Sequence, residues 1–145
     1  LNIIYKNLNP KNVYVSKDLK IIKLVNYVSC FCNEYNCEDY SYASHEVVSP
    51  NKNETLYADI WSIGCILFLL VTGIKPYNGL NDNYDIELQL STTVSPIDYL
   101  EDDDILDIIY AKKNRPFLSI MNKCFRFREE TRPKTSDLLD ESIFL

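Results

Sequence analysis

Glycine is scarce in this sequence. There are only three among 145 residues, Gly64, Gly73 and Gly79. None stands in a run that could wrap backbone amides around a phosphate, so there is no Gly-rich phosphate loop. Histidine is scarcer still: His45 stands alone, and no Ser or Cys nucleophile motif accompanies it, which leaves a triad hydrolase with little support. The main apolar run, within residues 60–71, is too short for a membrane span and reads as a buried core helix. Positive charge is the minority sign. The formal net charge of −6 argues against a nucleic-acid or anionic-membrane partner. Cysteine is present but odd in number, five, without the spacing of a secreted scaffold. Reduced thiols in a cytoplasmic or otherwise intracellular setting are the expectation. No basic-plus-apolar segment of signal-peptide type opens the sequence.

What is present is an ordinary globular composition, 46% hydrophobic and 25% charged, in a length that suits one domain. Val13 to Val15 and Leu19 to Leu24 read as two short strands around the polar turn Ser16-Lys17-Asp18, a β-hairpin. Residues 57–72 read as one helix, stopped by Gly73 and then Pro76. Residues 78–98 are polar with scattered Leu and Ile, and suggest an insertion. Helices follow over 102–144. The acids of Leu100-Glu101-Asp102-Asp103-Asp104 precede an apolar stretch and Lys112-Lys113 follows it, which suits a helix dipole. Cys30, Cys32, Cys37 and His45 place soft ligands within sixteen residues. They lack a paired Cys-x-x-Cys knuckle, so the segment reads as polar chain with incidental thiols.

Five short motifs fall in a consistent order. Tyr5-Lys6-Asn7-Leu8-Asn9-Pro10-Lys11-Asn12 comes first. Lys23-Leu24-Val25-Asn26-Tyr27-Val28 follows, with Asn26 nineteen positions after Asn7. Then come Ser44-His45-Glu46, Asp59-Ile60-Trp61-Ser62-Ile63-Gly64, and Phe127-Arg128-Glu129-Glu130-Thr131-Arg132-Pro133. Taken together they resemble eukaryotic protein kinases. The first is similar to the catalytic loop His-Arg-Asp-Leu-Lys-Pro-x-Asn, and the second to Asp-Phe-Gly. The third is similar to Ala-Pro-Glu, the fourth to the start of the buried central helix, and the fifth to the late Arg-Pro motif. The resemblance implies a mainly α (α+β) fold: a kinase C-lobe with a small β-hairpin near its start and the N-lobe absent. It divides the chain into a catalytic-loop-like segment (5–12), an Asp-Phe-Gly-like segment (26–28), an activation segment (29–46) and a central helix (57–72).

The same resemblance implies altered chemistry. The family's loop Asp handles the proton of the substrate hydroxyl; a second Asp and the loop Asn hold Mg²⁺ against the nucleotide phosphates. Here Asn7 stands at the proton-handling Asp, Asn9 at the Lys, and Asn26 at the metal-binding Asp; only Asn12 is kept. A neutral amide has no useful basicity and is a weak ligand for a hard cation. Val28 replaces the flexible Gly, and a β-branched residue does not easily reach positive φ. Glu46 and Arg132 are implied to pair beneath the activation segment, and Asp59 to bond the backbone of the catalytic loop. The expectation is a pseudokinase, a protein-binding or allosteric module with no cofactor. Its partners are proteins, an active kinase or a substrate-like peptide. The alternative is part of an active Ser/Thr-type kinase using Mg-ATP.

Overall fold

A computed structural model describes residues 3–31, 39–49 and 55–141. The N-terminal segment is held together by short polar side chains. Asn9 caps a 3-10 turn, Pro10–Asn12, by accepting the Lys11 N–H at 3.0 Å. Strand β1 (Val13–Val15) leads out of that turn and pairs antiparallel with β2 (Ile22–Leu24), in the register Val13–Leu24, Tyr14–Lys23 and Val15–Ile22. The second strand starts three residues later than the β-branched pattern suggests. Leu19 sits at φ 59°, a left-handed conformation that no strand accepts. Ser16 Oγ also accepts the N–H groups of Lys20 and Ile21, at 3.2 and 3.0 Å, wrapping the turn as far as the start of β2. Val28 opens a short helix, α1 (Val28–Phe31), so its place is met by helical backbone and no glycine is needed there.

Helix α2 (His45–Val48) follows, and α3 (Tyr57–Thr72) is the element around which the rest packs. Its length is set by its sequence. An uninterrupted apolar run drives burial, and Gly73 at φ 75° ends it by turning its N–H back to the Leu69 carbonyl at 2.8 Å. Trp61, Cys65 and Phe68 project into the main core, where Tyr42, Tyr77, Ile109, Met121 and Phe125 meet them. Each large side chain buried there contributes roughly 1.5–3 kcal/mol. Ile60 faces a second cluster with Ile120, Cys124 and Leu138. Gly64 lets α3 approach α6 (Arg115–Cys124): a Cβ there would lie 2.7 Å from Cys124 Cβ and 2.8 Å from Phe125 Cε1.

Residues 78–98, which read as an insertion from sequence, contribute to the main core. Asp82 caps α4 (Asn83–Ser91) by accepting the Asp85 N–H at 2.9 Å. Ile86 and Leu90, one turn apart, are buried in the main core together with the flanking Tyr77 and Ile97. Of the acids before α5 (Asp103–Tyr110), Asp102 acts as the cap: it accepts the N–H groups of Asp104 and Ile105, at 3.0 and 3.2 Å. Lys112 and Lys113 fall beyond this helix, in a 3-10 turn, Lys112–Asn114, that leads into α6. Helix α7 (Thr135–Leu139) closes the described chain and ends before Asp140. No helix among the described residues is long and apolar enough to cross a membrane.

Candidate functional site

The loop of residues 5–12 hangs from α3. The Asp59 carboxylate takes the Tyr5 N–H on Oδ2 at 2.7 Å and the Lys6 N–H on Oδ1 at 2.9 Å. This clamp explains how Lys6 holds φ 68°, a conformation costly for a residue with a long side chain. The Tyr5 hydroxyl donates to the Val25 carbonyl and ties the loop to the chain just after β2. Beyond the clamp, the loop closes on itself through amides. Asn12 Nδ2 donates to the Asn7 carbonyl at 2.8 Å. Asn9 Nδ2 donates to the Asn7 side-chain Oδ1 at 2.7 Å and to its main-chain oxygen at 3.0 Å.

Asn7, Asn9 and Asn12 thus lie in one hydrogen-bonded group. Asn26 comes next to it in the chain through the Val25 N–H, which donates to the Asn12 carbonyl at 3.0 Å. Asn26 stands at φ 65°, in the left-handed region that Asn tolerates better than most residues. Tyr27 sets its ring edge against Tyr5, with centroids 5.9 Å apart, and remains 54% exposed. Cys30 also reaches the loop, its thiol 3.7 Å from the Tyr5 carbonyl. Burial first, and the Asp59 charge second, push that thiol's pKa up and disfavour its thiolate.

The described residues of this loop offer a hard cation few anionic oxygens. Hard cations take anionic oxygen, and residues 3–31 contain five lysines and a single acid, Asp18. Asp18 is engaged in the hairpin turn with Ser16 Oγ, and Asp59 is spent on the two loop amides. What remains at Asn7, Asn12 and Asn26 is neutral. Among the described residues no three His, Cys, Asp or Glu side chains gather as a metal site. Cys32 and Cys37 lie outside the described residues.

A second cluster lies under α2. Glu46 and Arg132, 86 positions apart, form a buried two-point pair: NH1 to Oε1, and NH2 to Oε2 at 3.1 Å. Arg132 spends its other donors on carbonyls, Nε on Arg126 at 2.8 Å and NH1 on Tyr57 at 2.9 Å, and its Cζ lies 5.1 Å from the Trp61 ring centroid. His45 brings Nδ1 to 3.0 Å from Glu46 Oε2 and stacks on Phe127, with centroids 4.1 Å apart. Burial alone would raise the Glu46 pKa. The His45 hydrogen bond, the Arg132 hydrogen bonds and the guanidinium charge outweigh it, and the value falls to about 2.

The family model of the protein kinase domain matches residues 1–144. The chain belongs to the protein kinase family. Curated relatives agree. It is 27% identical over 146 residues to the serine/threonine-protein kinase MPS1 of Encephalitozoon cuniculi, covering 95% of this chain and 23% of that one. It is 26% identical over 147 residues to the MAP kinase kinase mkk-4 of Caenorhabditis elegans, covering 95% and 38%. Against the SNF-related serine/threonine-protein kinase of Rattus norvegicus it is 29% identical over 91 residues, covering 57% and 12%. The kinase-like chain therefore spans between 12% and 38% of the length of these relatives.

Sequence reasoning missed three participants of this kinase-like lobe. Tyr5 as a tether to Val25 carries a faint signal, an aromatic hydroxyl beside the motif. His45 as a neighbour of Glu46 was visible only as the residue replacing Pro. Phe127, which stacks on His45, had no signal, because the stack forms across 82 positions of chain.

Proposed function

We propose that this kinase-family chain is a catalytically inactive lobe, a pseudokinase module that works by binding protein rather than by phosphoryl transfer. The observation that carries the reading is the Asn7 amide. A neutral amide cannot take a proton from a substrate hydroxyl, and its one acceptor oxygen is engaged by Asn9 at 2.7 Å. Asn26 removes the second carboxylate, so the site lacks both the base and the anionic ligand that phosphoryl transfer uses. The free thiols of Cys30, Cys65 and Cys124 suit an intracellular setting.

The test is thermal stability of the protein against ATP, with and without Mg²⁺. Stabilisation by a ligand grows as RT ln(1 + [L]/Kd). The expected outcome is no Mg²⁺-dependent rise in midpoint at millimolar ATP, and no phosphate transferred to a generic protein substrate. A Mg²⁺-dependent shift accompanied by transfer refutes the inactive reading. The relatives named as serine/threonine kinases favour the second reading, an active kinase that has replaced its two carboxylates. Under it, Asn7→Asp with Asn26→Asp would disturb an adapted site and lower activity; under the inactive reading there is none to lower.

A further inference from the structure

The β1–β2 hairpin stands outside the core. Among the described residues, no hydrophobic cluster includes any part of it. Opposed residues of an antiparallel pair share a face, so Val13, Val15, Ile22 and Leu24 lie together on one side of the ribbon. Val15, Leu19, Ile21 and Ile22 are 51% to 79% exposed. A lone two-stranded ribbon with an open apolar side gains from a cover. The same segment is basic. Lys11, Lys17, Lys20 and Lys23 are exposed, Asp18 is its one acid, and none of the four lysines has an ion pair among the described residues.

The opposite charge lies on α5. Between Lys75 and Lys112 there are nine acidic residues and no base. Three of them, Asp103, Asp104 and Asp107, are exposed on α5. Helical spacing sets Asp104, Asp107 and Ile108 on one side, with Tyr110 one turn beyond Asp107. Ile108 is 39% exposed and Tyr110 56%, while Ile109 turns into the core. The outer surface of α5 is thus acidic with apolar side chains among the acids, as the hairpin is apolar with lysines around it.

We infer that the hairpin of one molecule docks on α5 of a second copy of this chain, lysines to aspartates and the apolar side to Ile108 and Tyr110. Charge selects the arrangement. Hairpin on hairpin would set lysines against lysines, and α5 on α5 would set acids against acids; only the crossed contact is complementary. Within one molecule no ion pair joins the two surfaces among the described residues, so both are open to a neighbour. The inference goes beyond the proposed inactive role, because neither surface contains Asn7, Asn9, Asn12 or Asn26.

The experiment is sedimentation velocity of the whole protein over a range of concentrations, at about 50 and about 500 mM salt. Two charge reversals are compared with the wild type: Lys20→Glu with Lys23→Glu on the hairpin, and Asp104→Lys with Asp107→Lys on α5. All four side chains are exposed and the Asp102 cap is kept, so both proteins should melt close to the wild type. The wild type is expected to self-associate, with an apparent Kd that rises about tenfold or more at the higher salt. Either reversal alone should raise it as much. Mixing the two reversed proteins, or placing both reversals in one chain, should restore association to within about threefold of the wild type. Val15→Thr with Ile22→Thr keeps the β-branched shape and tests the apolar side; it should weaken association at both salt concentrations. The inference is overturned if the wild type stays monomeric throughout, if association ignores salt, or if the two reversals do not rescue each other. It is also overturned if the hairpin carries the protein onto anionic vesicles while the protein itself stays monomeric. Phosphoryl transfer, present or absent, bears on the inactive reading alone.

Discussion

Removing either partner of the Glu46–Arg132 pair leaves a charge inside the protein. Glu46 is 1% exposed and Arg132 3%. Truncating one member of such a pair costs roughly 3–5 kcal/mol, against a total stability of roughly 5–15 kcal/mol for a domain. The two singles should differ. Glu46→Ala strands the guanidinium but leaves it donating to Arg126 and Tyr57. Arg132→Ala strands the carboxylate, orphans those two carbonyls and empties the space beside Trp61, so it should cost more by about 1–2 kcal/mol. The double variant leaves no stranded charge and should cost less than the sum by about 2–3 kcal/mol. Urea denaturation of the wild type, both singles and the double measures all three quantities. Single effects under about 1 kcal/mol that simply add are what an exposed pair would give, and that result would refute the argument.

The same pair sets an acid limit. The folded Glu46 pKa of about 2 lies below its ordinary 4.5, so its contribution of about 3 kcal/mol is complete above pH ~5 and fades as pH falls toward 2. Urea midpoints measured between pH 6 and pH 3 should fall, with a shallower fall in Glu46→Gln. Asp59→Asn replaces one of two carboxylate acceptors with an amide donor. It should free the Tyr5 or Lys6 N–H at a cost of about 1–3 kcal/mol, and hydrogen exchange at those two amides should rise before any change at Phe68. Gly64→Ala puts a methyl 2.7 Å from Cys124 Cβ; this overpacking should cost about 1–3 kcal/mol in a thermal melt.

Helix α3 could be read from sequence because all its determinants are local: an apolar run, a head acid and a glycine stop. The hairpin could be read in outline, but Leu19 looked like strand because β-propensity says nothing of φ, and Ser16 Oγ decided where the turn ended. Helix α4 hid for a physical reason. Only Ile86 and Leu90 face the core, and exposed Tyr84 and Leu88 blur the apolar period that marks a helix. At the site, the letters at 7, 9, 12 and 26 show four amides and no more. That Asn9 would engage the Asn7 oxygen depends on side-chain torsions, which no motif encodes. Likewise, the His45–Phe127 contact comes from the way α2 and the chain after α6 meet.

The first two turns of α3 receive three remote parts of the chain. Asp59 takes the amides of Tyr5 and Lys6, Ser62 Oγ donates to the Tyr42 carbonyl at 2.7 Å, and the Tyr57 carbonyl accepts from Arg132. These links close loops of 54, 20 and 75 residues. Closing each loop costs chain entropy that rises only slowly with length, but all three share one anchor. The anchor must therefore exist before any of them is rewarded, and contacts this distant in sequence slow folding. A change that frays the head of α3 should release the asparagine loop, the segment before α2 and the Arg132 side chain in a single event. These three regions would then exchange their amide hydrogens at a common rate, as one cooperative unit.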